Sequence, residues 1–258
     1  MAELPDLTVF ASTLNYKFKD ETLEKLDVIV AKKINVSSAK LKRRLEGQKL
    51  EKVVRVGKTL QFHFGKTDIL GLHLMLRGEL KEIRKDEAPP KHAILIFNFT
   101  GENAFAVTDT LKQATPTLNP EVNSVPDALV ISESEFLTLL SKRSKKIKEV
   151  LMDQKAIRGI GNSYADEILW AARISPFSIA KAIPDKVAKH LWTTINGVLK
   201  EAIKDIKKEN KDELRGELRD FMKIHGAKIE KSPNGHPVKS DTIGGRTAYY
   251  TSEQKLYH

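Results

Sequence analysis

The chain has 258 residues, 40% of them hydrophobic and 30% charged, and a formal net charge of +10. This is the balance of a globular protein with room for two domains and a sizeable core, and its basic excess favours a polyanionic partner, nucleic acid first among them. With no cysteine, disulfides and thiolate-held metals are excluded. The apolar runs are too short to span a bilayer, and no basic-then-apolar leader opens the chain, so cytoplasmic residence is the default expectation.

In chain order, Leu4 to Leu14, opened by Pro5, reads as a helix. Val53 to Val56 leads through Gly57-Lys58 into Leu60 to Phe64, an alternating apolar pattern that predicts paired strands. Ile69 to Leu76 and Ala93 to Phe99 are further runs of strand length, and Lys85 to Lys91, with Pro89-Pro90, is a charged turn. Pro116, Pro120 and Pro126 mark an irregular connector between domains. Helical text begins near Ser132, which with Glu135 has capping-box spacing. It continues through Glu133 to Leu140, Ile147 to Met152, Ser163 to Ala172 and Asp185 to Ile206. After Lys211 short strands and turns return, at Phe221 to Ile224 and around Gly235, Gly244-Gly245 and Tyr249-Tyr250. The expected fold class is α+β and multidomain. Its parts are a β-rich domain over residues 1–130, a helical domain over 131–219 and a β-hairpin finger over 220–258.

Three separated motifs suggest chemistry. The first is the start itself, Met1-Ala2-Glu3-Leu4-Pro5-Asp6. The second runs from Ile147-Lys148-Glu149-Val150-Leu151-Met152-Asp153-Gln154-Lys155 to Gly159-Ile160-Gly161-Asn162-Ser163-Tyr164-Ala165-Asp166-Glu167-Ile168-Leu169. Two glycines let the backbone approach an anion closely, and the following helix offers free N–H groups and a positive dipole end. Around this turn, residues 139–158 carry seven Lys or Arg against two acids. The third motif is Gly235-His236-Pro237-Val238 followed by Gly244-Gly245-Arg246-Thr247-Ala248-Tyr249-Tyr250.

Together these motifs resemble the formamidopyrimidine-DNA glycosylase and endonuclease VIII family over nearly the whole chain. The resemblance implies an N-terminal β-sandwich with flanking helices, a helix-two-turn-helix domain and a zincless version of the family's finger. It implies a base-excision DNA glycosylase and AP lyase acting on double-stranded DNA with a damaged base or abasic site, as a monomer, with no metal or redox cofactor. The Ala2 amine, exposed once Met1 is removed, would form a Schiff base with the sugar. A terminal amine, with a pKa near 8, is partly unprotonated at neutral pH, unlike lysine near 10.4. Glu3 would move the protons and Asp6 would support that region. Lys58 would hold a phosphate and Leu76 would enter the gap in the duplex. Lys148, Lys155, Gly161, Asn162 and Tyr164 belong to the helix-two-turn-helix part of the DNA surface, and Arg246 to the finger.

The chain departs from the family at four places. Ala2 stands where the family has proline. Lys231, Asn234, Thr251 and Gln254 fall where the zinc-binding version has cysteines. Asp109 to Ala114 replaces a segment that supplies an arginine and a phenylalanine, so the aromatic wedge is missing. The stretch between Ile206 and Phe221 is short and charged, which argues against 8-oxoguanine. Two alternatives follow: a catalytically impaired damaged-DNA-binding protein of the same fold, and a ribonucleoprotein component, since a similar helix-two-turn-helix occurs in a ribosomal protein.

Overall fold

A computed structural model describes residues 1–214 and 216–258. Its contacts divide into two units: Met1–Asn123 with Ile206–Leu218, and Ser124–Asp205 with Arg219–His258.

The first unit opens with helix α1, Leu4–Phe18, which has Pro5 and Asp6 in its first turn. The Asp6 carboxylate accepts the Glu3 N–H at 2.9 Å, meeting one of the donors a helix start leaves over. Leu7, Phe10, Leu14 and Phe18 recur at helical spacing and are buried. Strand β1 (Leu23–Val28) and the short basic helix α2 (Ser38–Leu45) follow. Strands β2 (Leu50–Val56), β3 (Thr59–Phe64), β4 (Asp68–His73), β5 (Gly78–Arg84), β6 (Ala93–Phe99), β7 (Asn103–Asp109) and β8 (Thr115–Leu118) complete the unit. They form two four-stranded antiparallel sheets, ordered β1-β6-β7-β5 and β2-β3-β4-β8. Phe62 of one sheet stacks on Phe97 and Phe105 of the other, with ring centroids 5.8 and 5.7 Å apart. The core therefore lies between the sheets, each such ring contributing roughly 1.5–3 kcal/mol. Asn15 fastens α1 to β2: its Oδ1 accepts the Val53 N–H at 2.7 Å and its Nδ2 donates to Val53 O at 2.6 Å.

Two local expectations change here. The run Ile69 to Leu76 stops being a strand at His73, because Met75 adopts φ +57° and the Gly78 N–H turns back to Leu74 O at 2.9 Å. Pro116 is not connector but part of β8, an edge strand that pairs only with β4, where a missing N–H costs no ladder bond.

The second unit contains α3 (Glu133–Ser141), opened by the Ser132/Glu135 capping box, α4 (Ile147–Met152) and α5 (Asn162–Ala171). Helix α6, Asp185–Asn210, belongs to this unit as far as Asp205 and runs four residues past the expected end, those from Ile206 on being counted with the first unit. Strands β9 (Lys239–Ile243) and β10 (Arg246–Tyr250) form a hairpin through Gly244 and Gly245 at φ +57° and +73°, as a tight primed turn requires. Phe221 to Ile224 is not a strand. The N–H groups of Lys223, Ile224 and His225 converge on the Glu167 carboxylate at 2.8–3.0 Å instead of on a neighbouring strand.

Candidate active site and nucleic-acid interface

In the first unit the chain start lines a cavity of about 350 Å³, shared with Leu76, Arg77, Glu79 and Glu217. Met1 and Ala2 both face it, and the Met1 amine pairs with Glu217 Oε1 at 2.6 Å. Glu3 is only 3% exposed and Asp6 is fully buried. The segment leading into α1 thus places a terminal amine at a cavity wall and a buried carboxylate, that of Glu3, two residues further on. That is the pair of groups an amine nucleophile with a proton carrier requires.

Lys58 sits at the β2–β3 turn, where Gly57 has φ +59°. Arg55 braces this turn, donating to Gly57 O at 3.1 Å and to Thr8 Oγ1 of α1 at 2.9 Å. His73, at the end of β4, is a buried polar neighbour of this turn to which sequence reasoning assigned no role. Burial, with the Lys58 charge nearby, lowers its pKa and keeps the ring neutral. Its Nδ1 accepts the Met75 N–H at 3.0 Å, which places the ring proton on Nε2. The only sequence signal was a histidine ending a strand near a basic turn.

In the second unit, Gln154 builds the turn ahead of α5. Its side chain donates to Met152 O and Ile160 O at 2.9 and 2.8 Å and accepts the Gly159 N–H at 3.0 Å. Gly159, at φ +105°, needs the freedom only glycine has. Gly161 caps α5 and Asn162 begins it, so the first-turn backbone N–H groups and a side-chain amide stand at the positive end of one helix. Lys155 is exposed nearby in the chain.

Lys148 and Tyr164 depart from the sequence expectation of direct DNA contact. Lys148 is fully buried; its Nζ pairs with Asp166 Oδ1 at 2.7 Å and donates to Thr247 O at 2.9 Å. Asp166 Oδ2 in turn accepts the Tyr249 N–H at 3.0 Å and meets His225 Nδ1 at 2.7 Å. A buried ammonium with those partners cannot reach a phosphate. It instead fixes the strand that carries Arg246, which is itself exposed beside the Gly-Gly turn. Tyr164 is 1% exposed, with the Arg219 guanidinium 5.7 Å from its ring centre.

The finger is held by an anion. Lys231, Asn234, Thr251 and Gln254 do not form a zinc donor set. Beside them Glu253 accepts hydrogen bonds from Trp170 Nε1 (2.9 Å), Ser232 Oγ (2.8 Å), Asn234 Nδ2 (2.7 Å) and Thr251 Oγ1 (3.0 Å), and pairs with Arg173. Gln254 ties the same segment to Ile174 O at 2.8 Å. Burial raises the Glu253 pKa, but the donors from Trp170, Arg173, Asn234 and Ser232 outweigh it and hold the carboxyl well below its usual range.

The geometry agrees with comparison to known proteins. Residues 1–115 match the formamidopyrimidine-DNA glycosylase N-terminal domain and residues 125–212 match the formamidopyrimidine-DNA glycosylase H2TH domain. The formamidopyrimidine-DNA glycosylase of Lactobacillus gasseri is 30% identical over 216 residues, covering 80% of this chain and 78% of that protein. The Lactiplantibacillus plantarum enzyme is 34% identical over 200 residues, covering 73% of each. The fold is similar to that of the Lactococcus lactis Fpg in its complex with abasic-site DNA. The TM-score is 0.89 at 23% identity, over 98% of this chain and all of that one. The chain belongs to the formamidopyrimidine-DNA glycosylase family.

Proposed function

We propose that this protein is a DNA glycosylase and AP lyase that excises damaged bases from duplex DNA. The observation that carries the reading is the cavity in which the chain start, Leu76 and two carboxylates meet. Freed of Met1, the Ala2 amine attacks the sugar's anomeric carbon as the bond to the base breaks. Glu3 shuttles protons to the departing base and to the ring oxygen, so that the bond from the anomeric carbon to the ring oxygen breaks as the attached amine loses a proton, and the opened sugar is left as a protonated imine. Loss of a proton from the adjacent sugar carbon then expels the 3′ phosphate. Lys58, Lys155, Gly161, Asn162 and Arg246 hold the phosphates, while Lys148 and Tyr164 support that surface from beneath. No step calls for a metal or redox cofactor. We expect a monomer acting in the cytoplasm, where bacterial DNA lies; among the described residues no helix is long and apolar enough to cross a membrane.

Borohydride trapping on a duplex with one abasic site, using protein of known intact mass, tests this. The expected result is a covalent adduct with protein lacking Met1 and none with protein retaining it, because retention moves the amine by about 3.8 Å. No adduct from processed protein that binds the duplex would overturn the lyase. A second reading, damage binding without catalysis, is favoured by the Met1–Glu217 pair, which engages the amine in an ion pair. In either case affinity falls steeply with salt; a flat salt dependence would remove the phosphate contacts from both readings.

A further inference from the structure

Residues 29–45 carry six Lys or Arg and no acid. They lead into and form α2, which buries Leu41 and Leu45 and leaves Lys40 and Arg43 exposed. The register of the sheet β2-β3-β4-β8 fixes where this segment lies. One end of the sheet carries the Lys58 turn, His73 and, just beyond it, Leu76, which lines the cavity of the chain start. Helix α2 is fastened to the other end. Arg44 donates from Nε and Nη2 to the Asp68 carboxylate at 3.0 and 2.5 Å, and Asp68 opens β4 opposite Phe64. Asn35 exchanges two hydrogen bonds with the Leu118 backbone, at 2.9 and 2.8 Å, beside the same end. Lys66, exposed in the β3–β4 turn, belongs to it as well. The seven residues of β2 put about 20 Å between the two ends.

Among the described residues Lys32, Lys33, Lys40, Lys42, Arg43 and Lys66 form no ion pair. Acids beside them are engaged: Asp20 by Lys49, Glu46 by the Leu26 N–H and Asp68 by Arg44. Cations in the last turn of a helix suit its negative end. That accounts for Lys42, Arg43 and Arg44 but not for Lys32, Lys33, Lys40 or Lys66. We propose that this basic end is a second duplex-binding surface, which grips the phosphates of a separate DNA segment while the Lys58 end holds the first. The proposal rests on the DNA-repair reading above for the first duplex only. DNA is stiff over about 150 base pairs, so a duplex seated at the Lys58 end does not fold back to reach α2. Leu41 and Leu45 point into the core, so α2 offers a partner charge rather than an apolar anchor. Unpaired surface cations hold backbone phosphates without reading sequence. Such a surface passes the protein from one DNA segment to the next without a free interval, which shortens the search for damage.

Protein held on an immobilised duplex with a tetrahydrofuran abasic analogue, one protein per duplex, tests this through its retention of a labelled intact duplex of about 15 base pairs, far below the persistence length. Wild type, Lys40→Glu/Arg43→Glu and Lys40→Gln/Arg43→Gln are compared across a salt series. Charge reversal is expected to lower retention of the second duplex about tenfold. Neutralisation should lower it less and reduce the salt slope by about two. Affinity for the abasic duplex and borohydride trapping should stay within about twofold of wild type, which also shows that the variants fold, because about 20 Å exceeds the Debye length of about 10 Å at 0.1 M salt. Equal retention by wild type and both variants would overturn the proposal, as would wild type that retains no second duplex. Equal loss of both duplexes would overturn it by placing α2 in the first footprint. Wild type that retains a labelled polyglutamate peptide but no duplex would overturn it by assigning the basic end to an acidic polypeptide. Wild type with no preference for the abasic duplex over the intact one would overturn the repair reading; binding of the intact duplex that the variants weaken would in that case still support the basic end.

Discussion

Glu3→Gln is expected to lower single-turnover base release and abasic-site trapping by about 10²- to 10⁴-fold while leaving affinity for an abasic analogue nearly unchanged. Glutamine keeps the shape of glutamate but cannot cycle a proton, and positioned acid–base groups contribute a factor of that size. Fold damage is a poor rival explanation. The Glu3 side chain caps the Asp6 N–H in a reciprocal box, and the amide oxygen of glutamine can accept that N–H as the carboxylate does, while the Glu3 backbone N–H keeps its bond to Asp6 Oδ2. Trapping at the wild-type rate would demote Glu3 to a helix-start acid and shift the reading toward damage binding. A large loss of affinity, with unchanged chemistry once bound, would place its role in recognition instead.

Glu253→Ala is expected to destabilise the finger by about 3 kcal/mol, the usual consequence of removing one side of a buried charged network. The substitution leaves Trp170 Nε1, Ser232 Oγ and Asn234 Nδ2 without their shared acceptor. For a chain of this size that corresponds to a fall of roughly 6–12 °C in Tm, concentrated in exchange of the β9–β10 amides. Its pH dependence identifies the cause. The folded carboxyl lies below its ordinary value of 4.5, so its contribution is complete above that value and is lost as pH falls toward the folded one. The stability gap between wild type and Glu253→Ala, measured by urea unfolding, should therefore be full at pH 7 and narrow below about pH 4.5. A gap that is constant with pH would mean that side-chain packing, not the carboxylate charge, closes the finger. Weakened DNA binding in the same variant would follow from loosening the hairpin that carries Arg246.

Much of this protein is written in short-range chemistry. Alternation around Gly57-Lys58, the Ser132/Glu135 box, the turn at Gly159 to Asn162 and the Gly244-Gly245 hairpin each act within a few residues. Backbone geometry and period-2 or period-3.6 burial are local, so these features and the family resemblance can be read without coordinates. The chain start was legible as a chemical motif for the same reason, although nothing in it predicts the Glu217 partner. Packing across large sequence separations decided the rest. Lys148 looks like one more cation in a basic stretch until Thr247, 99 residues on, and Asp166 enclose it. Glu253 looks like a tail acid until Trp170 and Arg173, 83 and 80 residues earlier, converge on it. A residue's charge and shape belong to the sequence, but its exposure and its partners are properties of the packed chain. Those two properties divide the exposed cations, such as Lys155 and Arg246, from Lys148, which holds the fold together.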